Sequence, residues 1–292
     1  AGSVAFLHIT DPAHGPPDVG MWGTVRVLTE GRRQAITVSG AITRVLAVAP
    51  TWSPAGDRIA FAAVEDSNSD GNFSIGETGL YVAYLDGRPP VRVASGCSED
   101  TYLSWSPNAE MILFEATNSM AQLVDLSDGS VTSRDEHTTL ACWSPDGQRI
   151  AAYSTLDRRL HVLSIADGAE EYSAAGPDGE LVFLSWLPQG ETAGKWLALA
   201  STRREESSGT LLLRTAGAET GLSWRSIEQD SDSLFYPSAS PDGRWIAYNA
   251  VGQASQPSFV VHQIGSKPVT LFSDGSFAGL ACWTNRTNPV SR

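Results

Sequence analysis

Short apolar runs separated by turn-forming clusters recur along the chain, and the same punctuation precedes most of them. Trp52-Ser53-Pro54-Ala55-Gly56 leads into Arg58-Ile59-Ala60-Phe61, and Trp105-Ser106-Pro107-Asn108 into Met111-Ile112-Leu113-Phe114. Trp143-Ser144-Pro145-Asp146-Gly147 leads into Arg149-Ile150-Ala151-Ala152-Tyr153. A looser copy joins Trp186-Leu187-Pro188-Gln189-Gly190 to Trp196-Leu197-Ala198-Leu199; in a fifth, Ala239 replaces the tryptophan ahead of Ser240-Pro241-Asp242-Gly243 and Trp245-Ile246-Ala247-Tyr248. Cys282-Trp283-Thr284-Asn285 forms a last anchor. Proline presets φ early in the turn, Asp or Asn tolerates its geometry, and glycine takes the positive φ that closes it, so each copy predicts a β-hairpin. Another apolar strand and an Asp-Gly turn follow at 80–85 with Asp86-Gly87, 121–126 with Asp128-Gly129, and 160–165 with Asp167-Gly168. Each repeat therefore reads as a four-stranded antiparallel meander.

The anchors at 52, 105, 143, 186, 239 and 283 lie 38 to 53 residues apart, the spacing of a repeat architecture. Six anchors predict six sheets in an all-β protein. The last leaves no room for three more strands, but Val4-Ala5-Phe6-Leu7 supplies the strand expected after such a turn. The amino- and carboxy-terminal strands are thus expected to share one blade and close a ring. A closed ring of four-stranded blades is a six-bladed β-propeller, which leaves only short edges exposed. On this reading residues 1–292 form a single domain.

The Trp-Ser-Pro-Asp-Gly plus Arg-Ile-Ala pattern, with Pro50 or Pro237 two places before the anchor, resembles the WD-like repeats of TolB-type propellers across essentially the entire chain. Departures are Ala239 for tryptophan, Asn108-Ala109 for Asp-Gly, and Gln189 for Asp. The resemblance implies a fold and little about activity, since such propellers serve as binding platforms, peptidase gating domains and, more rarely, enzymes.

Charge narrows the partners. The 33 acidic against 20 basic residues give a net charge of −13, a field that repels phosphate backbones and anionic lipid heads, so no nucleic acid is expected as partner. No apolar run approaches the roughly 18 residues that span a bilayer, so no direct membrane insertion is expected. The lysine-poor, arginine-rich basic set, with lysine only at Lys195 and Lys267, points to a GC-rich, bacterial source. Cys97, Cys142 and Cys282 are too few for a disulfide scaffold. Cys142 and Cys282 precede anchors three blades apart, beyond the Cα separation of about 7 Å that a bridge allows, and Cys97 is expected as a loop thiol.

One segment carries specific chemistry. Residues 66–77, Asp-Ser-Asn-Ser-Asp-Gly-Asn-Phe-Ser-Ile-Gly-Glu, match the twelve-residue calcium loop D-x-[DN]-x-[DN]-G-x5-E at every defined position. A hard cation takes six to eight oxygens at about 2.3–2.6 Å, which alternate side chains of a tight loop supply while glycine permits the bend. Asp66, Asn68 and Asp70 are the side-chain ligands, Asn72 offers its carbonyl, Ser74 a direct or water-mediated contact, and Glu77 a bidentate carboxylate. An Asn/Asp-rich hairpin turn would favour similar residues, but has no need of glutamate at the twelfth place. The expected cofactor is one Ca2+ that rigidifies a long loop.

Catalytic signatures are missing: no G-x-S-x-G, Walker loop, H-E-x-x-H or dinucleotide fingerprint occurs. His161 and His262 fall in third-strand runs and are expected to be structural; His137 precedes an inner strand. The repeated aromatics Tyr102, Phe183 and Tyr236, three places before an anchor, suit packing between blades. Long irregular stretches at 10–20, 65–78 and 202–209 cluster at one end of the expected ring, and long loops carry function more often than turns. Trp22, Tyr102, His137 and Phe277 are the candidate partner contacts there. The leading expectation is a noncatalytic, extracytoplasmic, calcium-stabilised interaction propeller that recognises a protein or surface polymer, alone or as part of a longer chain or assembly. An enzyme or enzyme-accessory propeller (a hydrolase or lyase, or a peptidase gating domain) and a carbohydrate-binding lectin are the alternatives. Clustered histidines and carboxylates with a second metal would mark the first, a repeated solvent-facing aromatic pocket the second.

Overall fold

The computed structural model describes residues 3–9, 21–29, 36–42, 44–46, 50–65, 74–98, 101–118, 120–133, 138–176, 180–186, 196–203, 210–216, 224–228, 233–239, 245–251, 257–263 and 269–272. The chain divides into two compact units, Ala1–His137 with Cys282–Arg292, and Thr138–Ala281. All strand pairings among the described residues are antiparallel, and these residues contain no helix long and apolar enough to cross a membrane.

In the first unit, β1 (Ser3–Ile9), β2 (Met21–Thr29) and β3 (Ile36–Thr37) are followed by β4 (Arg44–Val45), β5 (Thr51–Trp52), β6 (Arg58–Val64), β7 (Thr78–Tyr84) and β8 (Val91–Ser95). Next come β9 (Ser104–Trp105), β10 (Met111–Glu115), β11 (Ala121–Asp125) and β12 (Val131–Ser133), a four-stranded sheet in chain order. The second unit holds three such sheets. They are β13 (Thr138–Trp143) to β16, through β14 (Arg149–Ser154) and β15 (Arg159–Ser164) to Glu170–Ala175; β17 (Glu180–Trp186), β18 (Trp196–Arg203), β19 (Thr210–Ala216) and β20 (Trp224–Glu228); and β21 (Ser233–Ala239), β22 (Trp245–Val251), β23 (Pro257–Gln263) and β24 (Val269–Phe272).

The repeat expectation needs two amendments. The first two sheets are not separate, because Met21 and Trp22 of β2 pair with Val45 and Arg44 of β4 and join eight strands into one sheet. The innermost strand of the second repeat is also split. Both β4 and β5 pair with β6, at Val45 with Ala63 and at Trp52 with Ile59. The strand expected to complete the first blade, residues 278–283, lies outside the described residues.

The Ser-Pro turns owe their sameness to one hydroxyl. Ser53 Oγ accepts from the Arg58 N–H at 3.1 Å and donates to Asp57, while the Gly56 N–H donates to the Ser53 carbonyl. Ser106 with Met111 and Asn108, and Ser144 with Arg149 and Asp146, repeat the arrangement. The turn closes through a left-handed residue: Gly56 at φ 67°, Gly147 at φ 70°, and Ala109 at φ 58° where the sequence lacks glycine. A side chain there costs roughly 1–2 kcal/mol, so the Asn108-Ala109 repeat carries strain that the others avoid.

Burial is graded along each sheet. β6 and β7 are buried almost throughout, whereas β12 is exposed at every position and β8 at both ends. Alternate β6 side chains serve opposite faces, as the two-residue period of a strand requires. Ile59, Phe61 and Ala63 pack with Ala5, Val25, Val27 and Tyr81. Ala60, Ala62 and Val64 pack with Leu103, Trp105, Ile112 and Phe114 of the following sheet.

Candidate functional site

The β6–β7 hairpin positions the calcium-loop segment. Its last register pair is Val64 with Thr78, so the two ends of the intervening residues are held side by side across a strand pair. Asp66, Asn68, Asp70 and Asn72 lie outside the described residues; Ser74 and Glu77 are within them. A 3-10 turn over Ile75–Glu77 begins after Ser74. The Glu77 N–H donates to the Ser74 carbonyl at 3.0 Å, and the Glu77 Oε2 accepts from the Ser74 N–H at 3.1 Å and from its hydroxyl at 3.3 Å. This is one half of a capping box: the glutamate reaches back to the serine N–H three residues earlier, while the serine hydroxyl donates to the same carboxylate instead of accepting from the Glu77 N–H. Glu77 is only 8% exposed, and these bonds offset the cost of burying its carboxylate. The ninth and twelfth positions of the segment thus bring two side-chain oxygens together, the donor type a hard cation takes.

The foot of the loop is braced by residues that the sequence reading did not single out. At the outgoing end, Tyr81 Oη donates to Glu65 at 2.7 Å while its ring stacks on Phe61 with centroids 5.6 Å apart. Burial above all, and then the Glu65 carboxylate, hold the Tyr81 hydroxyl protonated well past the usual phenol range. At the returning end, the Thr78 carbonyl accepts from the Gly96 N–H at 2.8 Å and from Arg92 Nη2 at 3.0 Å, and Thr78 Oγ1 donates to the Cys97 carbonyl at 2.7 Å. The absence of a side chain at Gly79 gives the Arg92 guanidinium its place: a Cβ there would stand 2.6 Å from Arg92 Nε. A glycine inside an apolar strand was the one available sequence signal of this close approach.

Cys97 corrects an expectation. It is fully buried, bridges to Ala116, and burial pushes its thiol up to about 12 despite the nearby Arg92. The loop-thiol reading failed because residues 96–98 pair with residues 115–117 of the following sheet, a contact that local pattern does not reveal. Cys142 is free, as the anchor spacing predicts, and buried, with its thiol likewise raised to about 12.

The partner candidates are not gathered in the described structure. Trp22 lies in β2 opposite Arg44, and Tyr102 is half-buried just before β9; His137 and Phe277 lie outside the described residues. At the tight-turn side of the second repeat, Asp57, Arg58, Tyr84, Leu85, Asp86 and Arg88 line an open pocket of about 470 Å³. Its charges are matched within the wall. Arg88 stacks 3.7 Å above Tyr84 and pairs with Asp86 at 2.9 Å; Arg58 donates to the Ala109 carbonyl and lies over Trp105. His161 is in β15, as its third-strand pattern predicts, with Nδ1 2.6 Å from Glu170 and Nε2 3.2 Å from Asp157. Among the described residues no group of three or more His, Cys, Asp or Glu side chains could hold a metal ion.

No family model matches the sequence. No curated protein matches it either. Solved structures do share its fold. TolB from Acinetobacter baumannii superposes with a TM-score of 0.66 at 18% identity, covering 97% of this chain and 66% of that one, so the present chain spans just under two thirds of that protein's length. The Swd1 β-propeller domain of Myceliophteria thermophila superposes with a TM-score of 0.57 at 15% identity, covering 94% of this chain and 87% of that one. Hydrazine synthase from Kuenenia stuttgartiensis gives 0.53 at 14% identity over 84% and 69%. At these identities the likeness defines the fold: antiparallel, largely four-stranded sheets of the β-propeller class.

Proposed function

We propose that this chain is a noncatalytic interaction propeller of six blades, closed by its terminal strands, stiffened by one Ca2+ at residues 66–77, and working outside the cytoplasm on a protein or surface polymer. The observation that carries the reading is the base of the β6–β7 connection. Its ends are in register, and Glu77 is buried beside Ser74 where the last two ligands of a calcium loop belong. Asp66, Asn68, Asp70 and the Asn72 carbonyl would complete the oxygen set. The ion would supply neutralising charge; the chain's own braces at Tyr81, Thr78 and Arg92 would orient the loop that it stiffens. A single loop of modest affinity fills at the millimolar calcium outside cells more readily than in cytosol, which supports an extracytoplasmic site of action. Trp22, Tyr102, His137 and Phe277 are the proposed contacts with the partner.

Calorimetric titration of chelated protein with Ca2+ tests the metal, with one site expected and its loss in Asp70→Ala. A wild-type titration without binding heat, together with identical melts with and without chelator, would reject it. Charge-reversal scanning of the long loops and of the Ser-Pro turns in a pull-down tests the binding face. Loss of the partner only from the turn variants would overturn the assignment.

A further inference from the structure

The turn that ends the third strand follows one plan in three repeats. The Leu85 N–H donates to the Asp57 carbonyl at 3.4 Å, the Leu126 N–H to that of Glu110 at 2.9 Å, and the Ile165 N–H to that of Gln148 at 2.9 Å. The aspartate that follows accepts from the N–H two residues on: Asp86 from Arg88, Asp128 from Ser130 and Asp167 from Ala169. The plan needs the aspartate and no particular residue at the flanking places. Where the second repeat has Tyr84 and Arg88, the third has Asp125 and Ser130 and the fourth Ser164 and Ala169. Turn geometry and packing ask for the same residue in every repeat, so a ring and a cation found here in one of the three answer to another demand.

Both side chains line the open pocket of about 470 Å³ at this turn, a volume within the range of roughly 300–1,000 Å³ that ligand sites occupy. Tyr84 packs on the core cluster that holds Trp105 and Ile112, and the Arg88 guanidinium lies 3.7 Å from its ring centroid. Arg88 Nε donates to the two Asp86 oxygens at 3.2 and 2.9 Å. Ring and carboxylate thus orient the guanidinium, while its Nη1 and Nη2 have no hydrogen-bond partner among the described residues. Arg58, in the same pocket, is fixed through Nη2 to the Ala109 carbonyl and over Trp105, which leaves its Nη1 likewise uncommitted. The acceptors are occupied: Asp57 Oδ1 by Ser53 at 2.8 Å, and both Asp86 oxygens by Arg88. The wall therefore offers unused donors and few unused acceptors.

We propose that this pocket binds a peptide carboxylate, a C-terminus or an acidic side chain, on the Nη edge of Arg88 with Arg58 as second donor and Leu85 beneath the adjoining apolar group. A guanidinium is a planar fork that matches a carboxylate with two parallel bonds. One negative charge fits better than the two of a phosphate, because the two arginines of the wall already face two aspartates and the chain carries a net charge of −13. The site lies by the Ser-Pro turn of the second repeat, so it rests neither on the calcium loop nor on the contacts assigned to the long loops.

Arginine Nε–Hε spectra of the full chain, titrated with acetyl-glycyl-leucine, test the site. The free acid should move the Arg88 and Arg58 signals, and its C-terminal amide should not. Arg88→Gln should weaken the acid by roughly tenfold or more, as loss of a charged hydrogen-bond partner does, and Arg88→Lys should not restore it. Both variants should melt within about 3 °C of the parent, since an exposed ion pair contributes little to stability. Tyr84→Leu should weaken the acid by about two- to fivefold through loss of the stacked face. Acetyl-glycyl-glutamyl-glycine amide separates the sources: shifts at both arginines extend the site to acidic side chains, and their absence beside a response to the free acid confines it to C-termini. Equal shifts from acid and amide, or none from either carboxylate up to about 10 mM, would reject the site. Binding of acetyl-arginine amide that improves in Arg88→Gln would show that Tyr84 and Asp86 take a cation, and would overturn the proposal.

Discussion

The Tyr81 hydroxyl reaches the Glu65 carboxylate at 2.7 Å and so ties the middle of β7 to the residue at which the chain leaves β6 for the calcium-loop segment. Tyr81→Phe keeps the ring stacked on Phe61 and removes only this bond. A loss of about 0.5–1.5 kcal/mol in urea-induced unfolding is expected. Because burial keeps the phenol protonated, the bond should persist through mildly alkaline pH, with no spectroscopic titration of Tyr81 below the denaturing range.

Glu77 holds the Ile75–Glu77 turn to Ser74, and on the proposed reading it is also a calcium ligand; substitution separates the two. Gln is accepted at the third position of a capping box, so Glu77→Gln keeps the bonds to Ser74 and should change the stability of chelated protein by less than about 0.5 kcal/mol. If Glu77 is a calcium ligand as proposed, the substitution also removes a charged ligand, so stabilisation by added calcium, about 2.7 kcal/mol for wild type at a hundredfold excess over Kd, should largely vanish. Glu77→Ala should lose both. Thermal melts of the three proteins with and without calcium make the comparison; equal calcium shifts in wild type and Glu77→Gln would remove Glu77 from the ligand set.

Gly79→Ala should be among the most damaging small substitutions in the β7 strand. The new Cβ would lie 2.6 Å from Arg92 Nε, 3.1 Å from the Tyr81 ring and 3.2 Å from the Ala94 carbonyl, so both a side chain and main chain obstruct it. Overpacking of this kind costs typically 1–3 kcal/mol. Recovery of much of that loss in Gly79→Ala with Arg92→Ala would identify the guanidinium as the principal obstacle, read by denaturant midpoints.

His161 supplies a pH dependence with a definite sign. Burial disfavours its charge, but Glu170 and then Asp157 outweigh burial and raise its pKa above the usual imidazole value. The stabilisation is therefore fully present below the unfolded-state pKa and is lost as pH rises through the raised folded value. Asp157, held low by His161 and Ser154 against a burial effect of opposite sign, works in the other direction, losing its contribution as pH falls through its lowered value. His161→Gln should flatten the neutral limb of a stability-against-pH curve, by no more than about 1 kcal/mol for so exposed a pair. An unchanged slope would show that the pair contributes nothing measurable.

The repeat was legible because its information is local. Ser53, Ser106 and Ser144 each close their turn with bonds to residues no more than five positions away, so serine, proline and glycine spell the hairpin directly. The strands of β15 and β23 were legible for the same reason, and with them the placing of His161 and His262. Cys97 was misread because what buries it is a strand edge nineteen residues further on, at Ala116. Arg92, Thr78 and Tyr81 were passed over because their roles come from bonds between strands, of which Gly79 is the one local trace. The merging of β2 with β4 was likewise hidden, since a two-residue pairing leaves no periodic trace.

The two faces of β6 carry separate messages. Ile59, Phe61 and Ala63 answer to β1 and β2, and Ala60, Ala62 and Val64 to the sheet of β9–β12, so a change at an odd-numbered place is felt at one seam and a change at an even-numbered place at the other. Within one parity, volume can be traded between neighbours; across parities there is no shared space in which to trade. Each blade boundary can then drift in sequence on its own, and a lineage can retune the fit on one side of a sheet without renegotiating the other.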